Sequence, residues 1–161
     1  MFSLWNRIKL NWGGEMKRIL CLGCLIGFFL SSSSAEIPAN AAGLRLGGGS
    51  YGGGAEVTYQ MAMGSSNRLE LDLGWGGAIG LAGVYQWHWN IVDEWNWYAG
   101  PGAQVVLWDG GAGIAVGGQI GIEYNFNTMG VPLLLSIDTR PMIGLGGGFG
   151  ADGAVSVRYT F

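Results

Sequence analysis

The chain of 161 residues leaves room for one compact domain once a targeting peptide is removed. Of its residues 49% are apolar and only 12% are charged, with a formal net charge of −3, against a charged share of about 25% in ordinary soluble domains. That composition argues against a monomer with a wetted outer wall, and the plentiful aromatic and branched residues beside 32 glycines argue against low-complexity disorder.

Residues 1–15 read as an upstream extension, because Gly13-Gly14-Glu15 has the look of a translated purine-rich ribosome-binding site and Met16 of the true start. Residues 16–41 read as a secretory signal peptide: Lys17 and Arg18 form the charged start, Ile19 to Leu30 the apolar run, and a serine-rich stretch leads to a small-residue cleavage site after Ala35 or after Ala41. The apolar run of about a dozen residues falls short of the ~20 a spanning helix needs. Cys21 and Cys24 both lie inside this run, so the exported chain has no cysteine and hence no disulfide, thiolate metal site or cysteine nucleophile.

From Gly43 onward no lysine remains, and four arginines stand against nine carboxylates for a net charge of −5. An acidic, lysine-free chain is a poor binder of nucleic acid, which relies on Lys and Arg to neutralise phosphates.

Residues 42–161 divide into about eight segments of period two. Gly43 to Gly49 sets Leu44 and Leu46 opposite Arg45, and Ala55 to Met63 sets Val57, Tyr59, Met61 and Met63 opposite Glu56, Thr58 and Gln60. In NRLELDLGW, Leu69, Leu71, Leu73 and Trp75 alternate with Arg68, Glu70 and Asp72. Ile79 to Trp89 opposes Leu81, Tyr85, Trp87 and Trp89 to Gln86 and His88. Trp95 to Leu107 opposes Trp97, Val105 and Leu107 to Asn96, Tyr98 and Gln104, interrupted by Pro101, which has no amide hydrogen to donate and is expected at a bulge or outside the regular pairing. Ile114 to Phe126 carries Gln119, Glu123 and Asn125 on its polar face, and Pro132 to Ile143 carries Ser136, Asp138 and Arg140. The last segment, Ala154 to Phe161, ends on SVRYTF with Val157, Tyr159 and Phe161 on the apolar side.

The connections alternate between polar turns near Ser65, Val92 and Met129 and glycine-rich stretches near Tyr51, Gly76, Gly110 and Gly147. Alternation alone does not say which face looks inward. A polar face mixing charges with Gly, Ala and Ser suits a narrow packed lumen, Trp87, Trp89, Trp95 and Trp97 cluster about one turn as an interfacial aromatic girdle does, and the lack of lysine is unlike a soluble outer wall. The expected fold is therefore all-β: an eight-stranded antiparallel up-and-down transmembrane β-barrel, closed because lipid offers backbone amides no partner.

An exported chain ending Arg158-Tyr159-Thr160-Phe161 resembles the small eight-stranded bacterial outer-membrane β-barrels of the OmpX and OmpA-like kind, and the SIDTRP segment from Ser136 to Pro141 is similar to one found in small members. The resemblance covers about Gly43 to Phe161. It implies a bacterial outer-membrane location, outer-membrane lipids and lipopolysaccharide as surroundings, and Tyr159 and Phe161 as the signal read by the barrel-assembly machinery during biogenesis; because both ends of the barrel segment lie with the polar turns, an outer-membrane orientation would put that end in the periplasm. It implies no oligomeric state.

An eight-stranded barrel has an interior just wide enough for side chains to fill. Arg45, Arg68, Arg140 and Arg158 would share it with Glu56, Glu70, Asp72, Glu123 and Asp138, and an ion-pair network plugging the lumen is expected because an unpaired charge there is costly. The function expected is structural or surface-interacting. The alternatives are a narrow pore, for which lumen glycines would leave water room, and a lipid-modifying outer-membrane enzyme. Against the last, His88 sits on the lumen face near the periplasmic turn with no serine beside it and reads as a structural histidine, so no catalytic residue is assigned. GLGGGFG, from Gly144 to Gly150, lacks the helix and Lys-Ser/Thr of a phosphate-binding loop, and no carboxylate or histidine cluster has metal-ligand spacing, so neither cofactor nor metal is expected.

Overall fold

The structure, a computed structural model, describes residues 37–50 and 52–161. The upstream extension and most of the expected signal peptide, with Cys21, Cys24 and Ala35, lie outside the described residues. Eight strands follow one another: β1 (Asn40–Gly49), β2 (Gly52–Ala62), β3 (Asn67–Trp75), β4 (Ile79–Val92), β5 (Trp95–Trp108), β6 (Gly111–Asn125), β7 (Leu133–Gly144) and β8 (Phe149–Thr160). Each pairs antiparallel with its sequence neighbour, and β8 returns to β1 to close the barrel.

The seam is a full ladder, running from Ala41 opposite Thr160 to Gly49 opposite Asp152. Below it, Asn40 and Phe161 exchange a pair of backbone hydrogen bonds of 3.2 and 3.0 Å. Closure therefore satisfies the two strands that would otherwise present open edges.

The apolar faces look outward. Leu71 is 39% exposed while its neighbour Glu70 is wholly buried, and the same alternation sets exposed Leu44, Leu46, Leu73, Leu81, Ile120, Ile137 and Val155 against buried Arg45, Asp72, Ala82, Gln119, Asp138 and Ala154. The core of this molecule is thus its lumen, and its largest fully buried side chains are Arg68, Arg140 and Arg158. From Ile79 to Trp89 the β4 rise, at ~3.3 Å per residue and a tilt of ~40°, gives a band about 25 Å tall, enough to cross a hydrocarbon layer.

Several strands are longer than their alternation suggested. β8 starts at Phe149 and β6 at Gly111, so much of the glycine-rich sequence is strand, and the glycine-end hairpins shrink to turns such as Asp109–Gly110. The reason is curvature. A Cβ at Gly100 would overlap the Tyr85 carbonyl oxygen, and one at Gly43 that of Val157, so these inward positions let adjacent strands fold sharply at a small radius. Pro101 makes no bulge: it stays in register with Gly118 on β6, and on the β4 side the pairing lapses between Val84–Gly102 and Trp87–Ala99 without a register shift. The bulge in this pair lies instead at Asn90/Val92, beside the turn where Asp93 adopts φ 47°. A short 3-10 helix, Asn127–Met129, fills the β6–β7 connection, which alternation alone does not reveal.

Gly100→Ala and Gly43→Ala are expected to cost about 3 kcal/mol each, because backbone must move to admit the methyl group. Gly80→Ala, where the added carbon meets nothing within 4 Å, should stay within about 0.5 kcal/mol of the parent. Urea unfolding midpoints in detergent micelles read the difference.

Candidate functional site in the barrel lumen

The lumen is built by one residue in two from every strand, and its charged members meet in three connected groups. Glu70, on β3, is the hub. Its Oε1 accepts from Arg140 Nη2 at 2.5 Å and from Gln119 Nε2 at 3.2 Å; its Oε2 accepts from Arg158 Nη2 at 2.9 Å, from Gln86 Nε2 at 3.2 Å and from Gln60 Nε2. Those donors stand on β2, β4, β6, β7 and β8, so one carboxylate ties six strands together. Such a group tolerates burial only because both oxygens are saturated by donors, two of them cationic.

A second group lies on the Glu123 side. Arg68 donates to Glu123 at 2.9 and 3.4 Å and to Gln60 Oε1 at 2.7 Å. His88 places Nδ1 3.5 Å from Glu123 Oε1 and Nε2 3.2 Å from Gln86 Oε1, and its ring stacks on Tyr98 with centroids 5.1 Å apart. Tyr98 in turn occupies the space a side chain at Gly121 would need. That lumen glycine therefore admits an aromatic ring from the neighbouring strand β5.

The third group faces the glycine-turn end. Arg45 pairs with Asp138 at 2.7 Å and with Glu56 at 2.9 Å; Arg140 pairs with Asp72 and lies 3.8 Å from Glu56. Arg158 completes its shell with Thr58, Ser136 and Ser156 hydroxyls at 3.2, 2.8 and 3.2 Å. All nine charged residues singled out from sequence thus lie in the lumen and touch at least one other of the nine. Glu56 is the most accessible of them, its side chain 24% exposed.

Sequence reasoning left Asp152, Gln60, Gln86, Gln119, Thr58 and Tyr98 out of the network. Asp152 is buried on the lumen side of β8, opposite Arg140 on β7, which brings the lumen, among the described residues, to four arginines and six carboxylates. Extending the phase of Ser156, Arg158 and Thr160 backwards would have found it, had the glycines beside it not been read as a loop. The glutamines were visible on polar faces, but alternation does not say that they bridge ions.

The polar-turn end opens into a cavity of about 660 Å³ lined by Asn90, Asn96, Asn125, Asn127, Asp93 and Glu94, with Thr160 and the segment 37–39. Its asparagines bond one another: Asn90 Nδ2 donates to Asn96 Oδ1 at 3.1 Å, and Asn127 Nδ2 to Asn125 Oδ1 at 2.7 Å. Among the described residues no group of three or more His, Cys, Asp or Glu is placed to hold a metal ion.

Outside, Trp87 and Trp95 are exposed at this same rim, while Trp97 is only 8% exposed because Trp89 stacks over it at 4.3 Å. Tyr124 and Phe126 extend the belt from Trp95, and Tyr159 and Phe161 stack at 6.3 Å. Trp75, Trp108 and Phe149 stand exposed at the opposite end, a second aromatic rim that the sequence reading missed.

Polar lumen, apolar wall and paired aromatic rims on a closed eight-stranded sheet define a barrel of the membrane-spanning type. No family model and no curated protein sequence matches the chain. Among solved structures, one described as a de novo designed transmembrane β-barrel is 14% identical, covering 80% of this chain and all of that one, with a TM-score of 0.58. Neisserial surface protein A is 12% identical over 76% of this chain and 94% of its own, with a TM-score of 0.48. The likeness to the designed barrel is one of fold.

Glu70→Leu, leaving Arg140 and Arg158 facing an apolar group, should destabilise the barrel by ~3–5 kcal/mol, whereas Glu56→Gln should cost no more than about 1 kcal/mol. The heat-dependent gel shift of the folded barrel and its urea midpoint measure both.

Proposed function

We propose that the protein is a small barrel of the bacterial outer membrane with a structural or surface-interacting role, its lumen closed by the ion-pair network. The observation that carries this reading is the hub at Glu70, where six strands send charged or amide side chains to a common centre. Water and solutes would have to displace a connected lattice of ion pairs and hydrogen bonds in a lumen that eight strands make narrow. The apolar band and its aromatic rims suit residence among outer-membrane lipids and lipopolysaccharide, and the exposed, stacked Tyr159 and Phe161 suit recognition by the barrel-assembly machinery.

The likeness to OmpX and OmpA-like barrels rests on size, strand number and the closing aromatic segment. Short turns at the glycine end make any interacting surface there a low one, formed by Trp75, Trp108, Leu145 and Phe149. A narrow pore is the second reading, favoured by the polar-turn cavity and by the open space at Gly80.

Planar-bilayer recording separates the two. The parent protein should show no steady channels, and a Glu70→Ala/Arg140→Ala variant, with the lattice cut at its hub, should show them. Steady single-channel openings of the parent would decide for the pore. Spin labels at position 71 should be relaxed by oxygen dissolved in the lipid and labels at position 70 spared; the opposite pattern would turn the barrel inside out.

A further inference from the structure

Two bonds in the leader region fit small-residue cleavage, the one after Ala35 and the one after Ala41, and the two products differ by six residues. The barrel seam distinguishes them. Asn40 and Ala41 belong to β1: Asn40 is in register with Met61, and Ala41 lies between Gln60 on β2 and Thr160 on β8, 1% exposed on the lumen side. The Asn40 amide donates to the Phe161 carbonyl at 3.2 Å and the Phe161 amide to the Asn40 carbonyl at 3.0 Å. The Ala62 amide donates to the Ala39 carbonyl at 2.7 Å, and the Tyr59 hydroxyl to Asn40 Oδ1 at 3.0 Å.

Loss of residues 39–41 would remove all four of these bonds at once. It would leave the amides of Ala62 and Phe161 without their strand partner, at the rim where the last strand must close on the first. A backbone group left unpaired against lipid has no water to bond in place of the lost strand partner. The residues at the later cleavage site are thus structural parts of the seam.

We infer that the processing site is the Ala35–Glu36 bond, and that Ala39-Asn40-Ala41, although its small residues suit a signal peptidase, is retained as the closing end of β1. In the reaction water adds across the Ala35–Glu36 amide, so that Ala35 leaves with a carboxylate and Glu36 becomes the new amino terminus. The inference rests on the export reading proposed above.

The test is intact mass and N-terminal sequencing of the protein taken from the outer-membrane fraction, joined to a comparison of two refolded chains, one beginning at Glu36 and one at Ala42. The expected result is a mature chain starting at Glu36 and a lower urea midpoint for the Ala42 chain. A mature chain starting at Ala42, or an Ala42 chain with an unshifted midpoint, overturns the inference while leaving export intact. An uncleaved chain that never reaches the outer-membrane fraction overturns the export reading together with it.

Discussion

The constraint on which this structure depends is that a peptide group facing lipid has nothing but another peptide group to bond. A sheet with free edges is ruled out in such a medium, so β8 must find β1, and the chain must supply a last strand and a first strand of matching register. With eight strands the resulting cylinder is narrow. Both features of the interior follow from that radius: inward residues at the tightest bends are reduced to glycine, as at Gly43 and Gly100, and those that are not small must interlock.

The interlocking is ionic because the apolar residues are needed outside. In a soluble domain a core of arginines and carboxylates would compete badly with packed hydrocarbon, since desolvation costs what pairing returns. Here the choice is constrained by the solvent on the outer face: one residue in two goes to lipid, and the other must fill the lumen without lengthening the apolar run. At the hub the cost of burial is offset by the number of partners. Glu70 meets two guanidinium groups and three amides, and Arg158 meets one carboxylate and three hydroxyls. Glutamine suits the intermediate positions because its carbonyl can accept from an arginine while its amide donates to a carboxylate, as Gln60 does between Arg68 and Glu70.

The two ends of the cylinder differ for local reasons. At the polar-turn end the strands run on into a bulge, a 3-10 turn and an asparagine-lined mouth, and the outer belt of Trp87, Trp95, Tyr124 and Phe126 is dense. At the glycine end the turns are tight and the aromatic rim is sparse. Glycines with positive φ at positions 77, 110, 147 and 148 reverse the chain there, a conformation that side chains disfavour. The interior stays polar along much of its length, from Asn125 near one mouth to Asp152 near the other, so the difference between the ends is one of shape more than of polarity.

What the sequence determined by itself is whatever depends on residues two apart. The alternation in segments such as NRLELDLGW sets which side chains share a face, and its recurrence along the chain sets the strand count; the outward Leu71 and the inward placement of the nine charged residues, Glu70 and Arg158 among them, needed also the tryptophan cluster, the small residues of the polar face and the lack of lysine. Glycine was misread where curvature uses it inside a strand and a turn was expected, which hid Asp152. Only the tertiary structure decided who meets whom: Arg158 and Thr58 are 100 residues apart in the chain, and Arg45 and Asp138 are 93 apart. Their encounter is settled by the stagger of eight paired strands around a closed circle, a sum over every register in the barrel that no local pattern contains.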